Sequence, residues 1–398
     1  MSAPLSGANA IARLVDEVIP FWLKNGLDRE HGGLMTCLDA DGTLVDDDKG
    51  VWQQWRAAWV LARASRMLGE RSEWTEALNG ILGFARRHAV DADGRMFFHL
   101  DRLGRPIRKR RYAYSECFAA MACAEAAALT GDATLAAEGE RHFRTARRAM
   151  TEPGGIAPKT TALRAGKPLG HPMISLGVAQ VVRRATGGAF AEEVAREAAD
   201  EIARDFVRPD LEAVLEVVAP DGSVIDHMET RQLNPGHAIE GAWFLYAEAE
   251  ACTDPARRAS LVATATRMLE WSWRRGRDAR HGGILNFVDL HGKPPASYEH
   301  DMKFWWPHCE AILAGRIGAR MTGDARLGAI ADECEAWALA HFADTRHGEW
   351  FGYLHRDGTV ASTLKGNLWK GLFHLPRMLL VLGELDGVGR RVEAMAGS

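Results

Sequence analysis

The chain has 398 residues, 47% of them hydrophobic and 26% charged, with a net charge of −4. This is the balance of a folded globular protein; it excludes a disordered chain and indicates no nucleic-acid or membrane partner, since no apolar run approaches the ~20 residues of a span. Six cysteines without a C-x-x-C pair, and a start (Met1 to Ala8) without signal-peptide character, predict free thiols in the cytoplasm.

The first helix is predicted to start near residue 8. Asp28-Arg29-Glu30-His31-Gly32-Gly33 follows, with Asp39 and Gly42 beyond it. A short apolar run, a turn of Asp and Gly, and a second run predict a β-hairpin. The helix near 52 opens on Trp52-Gln53-Gln54-Trp55-Arg56. A guanidinium there can bind an oxyanion through two parallel hydrogen bonds, or form an ordinary salt bridge. After a helix near 73, a looser hairpin copy spans Gly94 to Ile107. Helices near 113 and 133 come next, the first carrying Glu116. His171-Pro172 opens a helix near 172, one near 189 follows it, and a second loose hairpin copy runs from Val214 to Ile225.

Asn234-Pro235-Gly236 places a good N-cap before a proline at the first helical position, so a helix starts near 236. His237 and Glu240 share one face of it. A helix near 256 leads to a close hairpin copy, Asp278-Ala279-Arg280-His281-Gly282-Gly283, followed by Asp289 and Gly292. Trp305-Trp306 precede Pro307-His308 at a helix near 307 that carries Glu310. A helix near 325 precedes the third close copy, Asp344-Thr345-Arg346-His347-Gly348-Glu349. The last helix begins near 373, at His374-Leu375-Pro376.

Alternate helix starts recur at roughly one sixth of the chain length, which predicts six helix pairs. We therefore expect an all-α fold, an (α/α)6 barrel in a single domain of residues 1–398, with short hairpins on one rim. His171, His237, His308 and His374 lie beside prolines at inner-helix starts, where the helix dipole disfavours imidazolium. Any one of them fits a capping role; four at related positions suggest a shared site. Glu116, Glu240 and Glu310 can orient an imidazole, bind a ligand or form ion pairs. Trp305 and Trp306 can stack on a pyranose or fill the core. No H-E-x-x-H, phosphate loop or G-x-S-x-G elbow is present, so neither a metal site, a nucleotide-binding P-loop nor a serine nucleophile is indicated.

Five stretches resemble the N-acylglucosamine 2-epimerase family: Asn234 to Glu240, Gly283 to Asp289, Asp301 to His308, Gly348 to Leu354 and Lys370 to Arg377. The resemblance covers nearly the whole chain. It implies the same barrel, cofactor-free sugar epimerisation, and two acid/base histidines that fall on His237 and His374. The family arginine falls on Arg56 and its glutamate on Glu240. His300 stands where the family motif around Glu299 to Lys303 has tryptophan. Some members use ATP as an activator, expected here near Thr160 to Gly170, and the family often forms homodimers. The expected activity is interconversion of N-acetyl-D-glucosamine and N-acetyl-D-mannosamine, with a small-molecule sugar as partner. Mannose–fructose isomerisation, 2-epimerisation of unmodified aldoses, glycoside hydrolysis and non-catalytic binding remain alternatives.

Overall fold

The computed structural model describes residues 5–388. Gly7–Arg13, Leu14–Val18 and Ile19–Asn25 run on as one helix, α1, with a π-helical middle. The others are α2 (Val51–Leu68), α3 (Ser72–His88), α4 (Tyr114–Thr130), α5 (Ala133–Thr151), α6 (Gly170–Thr186) and α7 (Ala189–Glu201). They are followed by α8 (Pro235–Ala251), α9 (Pro255–Gly276), α10 (Trp305–Thr322), α11 (Ala325–His341) and α12 (His374–Leu385). Each of the twelve starts falls within two residues of its predicted place. Local chemistry explains many of them. Asp132, Asn234, Asp254 and Asp324 each cap a helix by accepting a backbone N–H, and Pro235 and Pro255 occupy first helical positions. Gly131 ends α4 at φ 74°, a left-handed cap that residues with a Cβ rarely adopt.

The even-numbered helices form the inner ring. Each packs on the next, from α2 through α4, α6, α8 and α10 to α12, and α12 closes on α2. The odd-numbered helices form the outer layer. α3, α5, α7, α9 and α11 each cover the inner helix that precedes them, while α1 covers α12. The sixth pair is therefore assembled from the two ends of the described chain. This is the (α/α)6 barrel. Outer helices show the one-sided pattern this requires: on α3, Trp74, Ala77, Leu78, Ile81, Leu82 and Phe84 are buried, and each large side chain contributes ~1.5–3 kcal/mol. Inner α4 and α8 are buried nearly all round.

The rim strands only partly follow the hairpin expectation. Cys37–Leu38 pairs with Leu44–Asp46, and His99–Leu100 with Pro106–Arg108, as local hairpins. In the other copies the strands cross between repeats. Val288–Asp289 pairs with Gln232–Leu233, Tyr353–Leu354 with Lys303–Phe304, and Val217–Val218 with Lys167–Pro168. Pairing across repeats ties adjacent loops together and is invisible in a local hydrophobic pattern.

The three close copies share a device that no local sequence motif signals. Asp28 accepts N–H groups of Glu30 and His31 and binds the Lys49 Nζ at 2.9 Å. Asp278 does the same with Arg280, His281 and Lys303, and Asp344 with Arg346 and Lys365. All three lysines are fully buried, and each also donates to the carbonyl of the first glycine of its copy. Burial pulls the Lys303 ammonium down to about 8, against the upward pull of Asp278.

Candidate active site

A cavity of about 1090 Å³ opens along the barrel axis. Its wall follows single helical stripes. On α8 these are His237, Glu240, Phe244, Ala247 and Ala251; on α2 they are Trp52, Arg56 and Trp59. The three- and four-residue spacing is what one face of an α-helix presents.

Of the ten residues singled out from sequence, Arg56, His237, Glu240, Trp305, Trp306 and His374 line this cavity. The indole of Trp306 lies 5.2 Å from the His237 ring and 5.7 Å from the His374 ring, between ring centroids. A Cβ on Gly236 would come within 2.5 Å of Trp306, so glycine there lets the indole approach α8.

The other four do not line it. His308 lies two residues, about 200° of helix turn, beyond Trp306 and therefore faces the opposite side. Its Nδ1–H donates to the Phe304 carbonyl (2.7 Å) and its Nε2 accepts the Ile284 N–H (3.0 Å). Both ring nitrogens are used, and burial drives its pKa down to about 3, so the ligand role expected for it is corrected to a core role. Glu116 is also off the cavity; it accepts from Arg95 (2.6 Å) and the Met96 N–H (3.0 Å) and locks the Gly94 turn onto α4. His171 does not line the cavity, although Gly170, Met173, Ile174 and Gly177 of the same helix do, and burial lowers its pKa to about 4, with Lys159 and Arg147 adding to the effect. Glu310 lies behind the wall: its Oε1 receives His374 Nδ1 at 2.8 Å and Arg377 at 2.7 Å, and its Oε2 the Trp243 Nε1–H at 2.8 Å.

Arg377, one helix turn after His374, lines the cavity and joins Glu240 to Glu310. Ligand atoms of Glu240, Glu310 and His374 lie within 4.8 Å of one another, a spacing able to hold a cation. The Arg377 guanidinium, bonded to both carboxylates, supplies one. The i, i+3 spacing from His374 was the available signal for Arg377. Glu216 had none beyond its place in a loose hairpin; its Oε1 lies 2.9 Å from His237 Nδ1.

The two cavity histidines are pushed in opposite directions. Burial, followed by the charges of Arg377 and Arg56, holds His374 well below the usual histidine value. Burial also opposes charge on His237, but Glu216 outweighs it and leaves that histidine above its usual value. Arg56 is 6% exposed. Its guanidinium lies 4.1 Å from the rings of Trp52 and Phe118 and 4.7 Å from Phe373. Burial, then Arg377, draws its pKa down to about 9, so it remains a cation at neutral pH. Arg56 Nε, Arg377 Nε and Trp59 Nε1 are buried donors without an acceptor among the described residues.

A family model described as N-acylglucosamine 2-epimerase matches residues 33–376. The N-acylglucosamine 2-epimerase of Bos taurus is 36% identical over 384 residues, covering 94% of this chain and 90% of that protein. The chain belongs to the N-acylglucosamine 2-epimerase family. As a member it is an isomerase acting on carbohydrates. A solved sugar epimerase from a ruminal bacterium superposes with a TM-score of 0.83 at 18% identity, covering 95% of this chain and 98% of that one. A D-mannose isomerase gives 0.83 at 16% identity, covering 97% and 100%. At those identities the two structures establish the shared barrel. No helix among the described residues is long and apolar enough to cross a membrane. The family motifs at Asn234 to Glu240 and Lys370 to Arg377 are the segments that carry His237, Glu240, His374 and Arg377 to the cavity.

Proposed function

We propose that this epimerase interconverts N-acetyl-D-glucosamine and N-acetyl-D-mannosamine by removing and returning the proton at C2. Inverting C2 requires an open-chain aldehyde, because only a neighbouring carbonyl makes that C–H acidic. One base on each face of the resulting enolate does this most simply. The observation that carries this reading is the pair His237 and His374, both lining one cavity, both against Trp306, with pKa values displaced in opposite directions. Groups whose environments separate their pKa values are suited to acid and base roles.

His374 rests neutral. With the Glu310 carboxylate accepting the Nδ1–H of His374, Nε2 keeps the lone pair. His374 takes the C2 proton of the epimer that presents it on that side. His237, whose protonated form is favoured by Glu216 against the effect of burial, delivers a proton to the opposite face. The reverse reaction starts from the complementary protonation states, and solvent resets them between turnovers. Arg56, charged and without a carboxylate partner among the described residues, stabilises the developing charge on O1. The N-acyl group directs the proton back to C2: protonation at C1 would leave an N-acyl imine, whereas protonation at C2 restores the amide.

Glycoside hydrolysis lacks support from the same carboxylates. Glu240 and Glu310 are both bound by Arg377, and Glu116 faces away from the cavity. Neither paired glutamate is placed to act as a proton-donating acid. Incubation with N-acetyl-D-mannosamine, followed by chromatographic separation of the sugars, tests the reading. It expects N-acetyl-D-glucosamine. Inert N-acetylated sugars together with fructose formed from mannose would replace it with aldose–ketose isomerisation.

A further inference from the structure

Five of the seven residues from Arg105 to Arg111 are basic, a local concentration that the overall charge balance conceals. Arg105 pairs with Asp101, Lys109 with Asp91 and Asp93, and Arg111 donates to the Pro158 carbonyl. Arg110 behaves differently. It makes no hydrogen bond or ion pair with another described residue; its guanidinium lies 5.0 Å from the ring centroids of Phe98, Tyr112 and Trp369, and it lines the cavity. Rings against the faces of a guanidinium leave its N–H edges available, and those edges form the fork that matches carboxylate and phosphate.

Arg110 and Arg56 belong to one aromatic wall. Trp369 stands edge-on to Trp52 at 5.6 Å, and Trp52 carries Arg56 on its other side. Trp369 is 44% exposed and Arg56 only 6%, so Arg110 is at the mouth and Arg56 at depth. A sugar with its C1 end at Arg56 directs its far end along this wall toward Arg110. The cavity, about 1090 Å³, lies just above the usual range of about 300–1,000 Å³ for sites that enclose drug-sized ligands and leaves room beyond a bare hexosamine. The lining carboxylates do not compensate Arg110: Glu240 is held by Arg377, and Glu250 and Glu299 make no ion pair with it.

We propose that Arg110 is a subsite for an anionic substituent, carboxylate or phosphate, carried by the sugar away from C1 and C2. The inference rests on the epimerase reading above and extends its substrate class from the neutral sugars to N-acyl hexosamines that carry an anionic substituent. The test compares kcat/KM for N-acetylmannosamine, its 6-phosphate and its C6-carboxylate in the wild-type enzyme and in Arg110→Met, which keeps the apolar stem but removes the fork. The wild type is expected to favour at least one anionic sugar over the neutral one by about tenfold or more, the worth of one charge-assisted hydrogen bond. Arg110→Met is expected to abolish that preference, with an unchanged circular dichroism spectrum. Anionic sugars turned over no better than the neutral one, or a preference that survives in Arg110→Met, would overturn the subsite. Failure of the epimerase reading would look different: none of the three sugars would be inverted by either protein.

Discussion

His374 Nδ1 lies 2.8 Å from Glu310 Oε1, and Glu310 itself lines no part of the cavity. The carboxylate therefore acts through the histidine, fixing its ring and its tautomer. Replacing Glu310 with Gln removes one charge-assisted hydrogen bond, so kcat should fall by about 10–100-fold with KM changed far less. Loss of the negative charge also leaves His374 facing Arg377 and Arg56 with less compensation. Its pKa should fall further, moving the acidic limb of the pH–rate profile to lower pH. A lowered Tm with unaltered kcat and pH profile would reduce Glu310 to a packing role.

Glu216 sets the other limb. In the direction where His237 donates, activity requires His237 protonated and His374 neutral. The raised pKa of His237 and the lowered pKa of His374 together widen the active pH window beyond both sides of an ordinary histidine. Glu216→Gln removes the charge that raises His237, so the basic limb of kcat/KM should move to lower pH while the acidic limb stays. Equal movement of both limbs would disagree with separate roles for the two histidines.

Asp278 is a structural keystone. It is 2% exposed and binds Lys303 at 3.0 Å and Arg356 at 2.8 Å. Arg356, Lys303 and the Arg280 N–H hold its carboxyl well below the usual range, against the opposing effect of burial. A carboxylate with a depressed folded-state pKa stabilises the fold fully above its unfolded value, near 3.9, and the contribution is lost as pH falls below it. Asp278→Asn leaves a buried ammonium without its counter-ion and should cost about 3–5 kcal/mol at neutral pH. Urea denaturation from pH 7 down to pH 3 should show the gap between wild type and variant constant above about pH 5 and beginning to narrow below about pH 4.

Much of the barrel was legible because helix starts carry local chemistry. Asn234-Pro235 and Asp254-Pro255 announce α8 and α9 without any tertiary information. The pairing of α1 with α12 was not legible, since the contact joins opposite ends of the chain and leaves no periodic trace. Lys49, Lys303 and Lys365 escaped notice because lysine is ordinarily exposed; their burial depends on aspartates 21 or more residues away. The site divided along helical phase. His237 and His374 reach the axis, whereas His308, equally close to a helix start and a proline, is rotated to the far side. Inner helices are apolar nearly all round, so their hydrophobic pattern does not reveal which face looks inward.

Glu349 offers a test in which two effects oppose each other. It stands where the other two close copies have their second glycine, and its φ is 56°, a left-handed conformation costing of the order of 1–3 kcal/mol for a residue with a Cβ. Its carboxylate meanwhile binds Lys370 at 2.8 Å and the Trp22 indole N–H at 2.7 Å, all within the core. Glu349→Gly relieves the backbone but orphans a buried lysine, a loss of about 3–5 kcal/mol. The second effect is larger, so the variant should be less stable, with a lower denaturation midpoint. A gain in stability would mean that backbone strain dominates at this position.

The two-base mechanism is tested most directly by following the C2 hydrogen in D2O by NMR, for the wild type and for His237→Asn and His374→Asn. From N-acetylmannosamine, the wild type should form N-acetylglucosamine with deuterium at C2, while substrate recovered early carries little label. Each variant should lose inversion by about 10²–10⁴-fold yet still exchange the C2 hydrogen of one epimer only, the two variants acting on opposite epimers. Inverted product without deuterium at C2, or variants that both exchange the same epimer, would contradict one histidine on each face of the sugar.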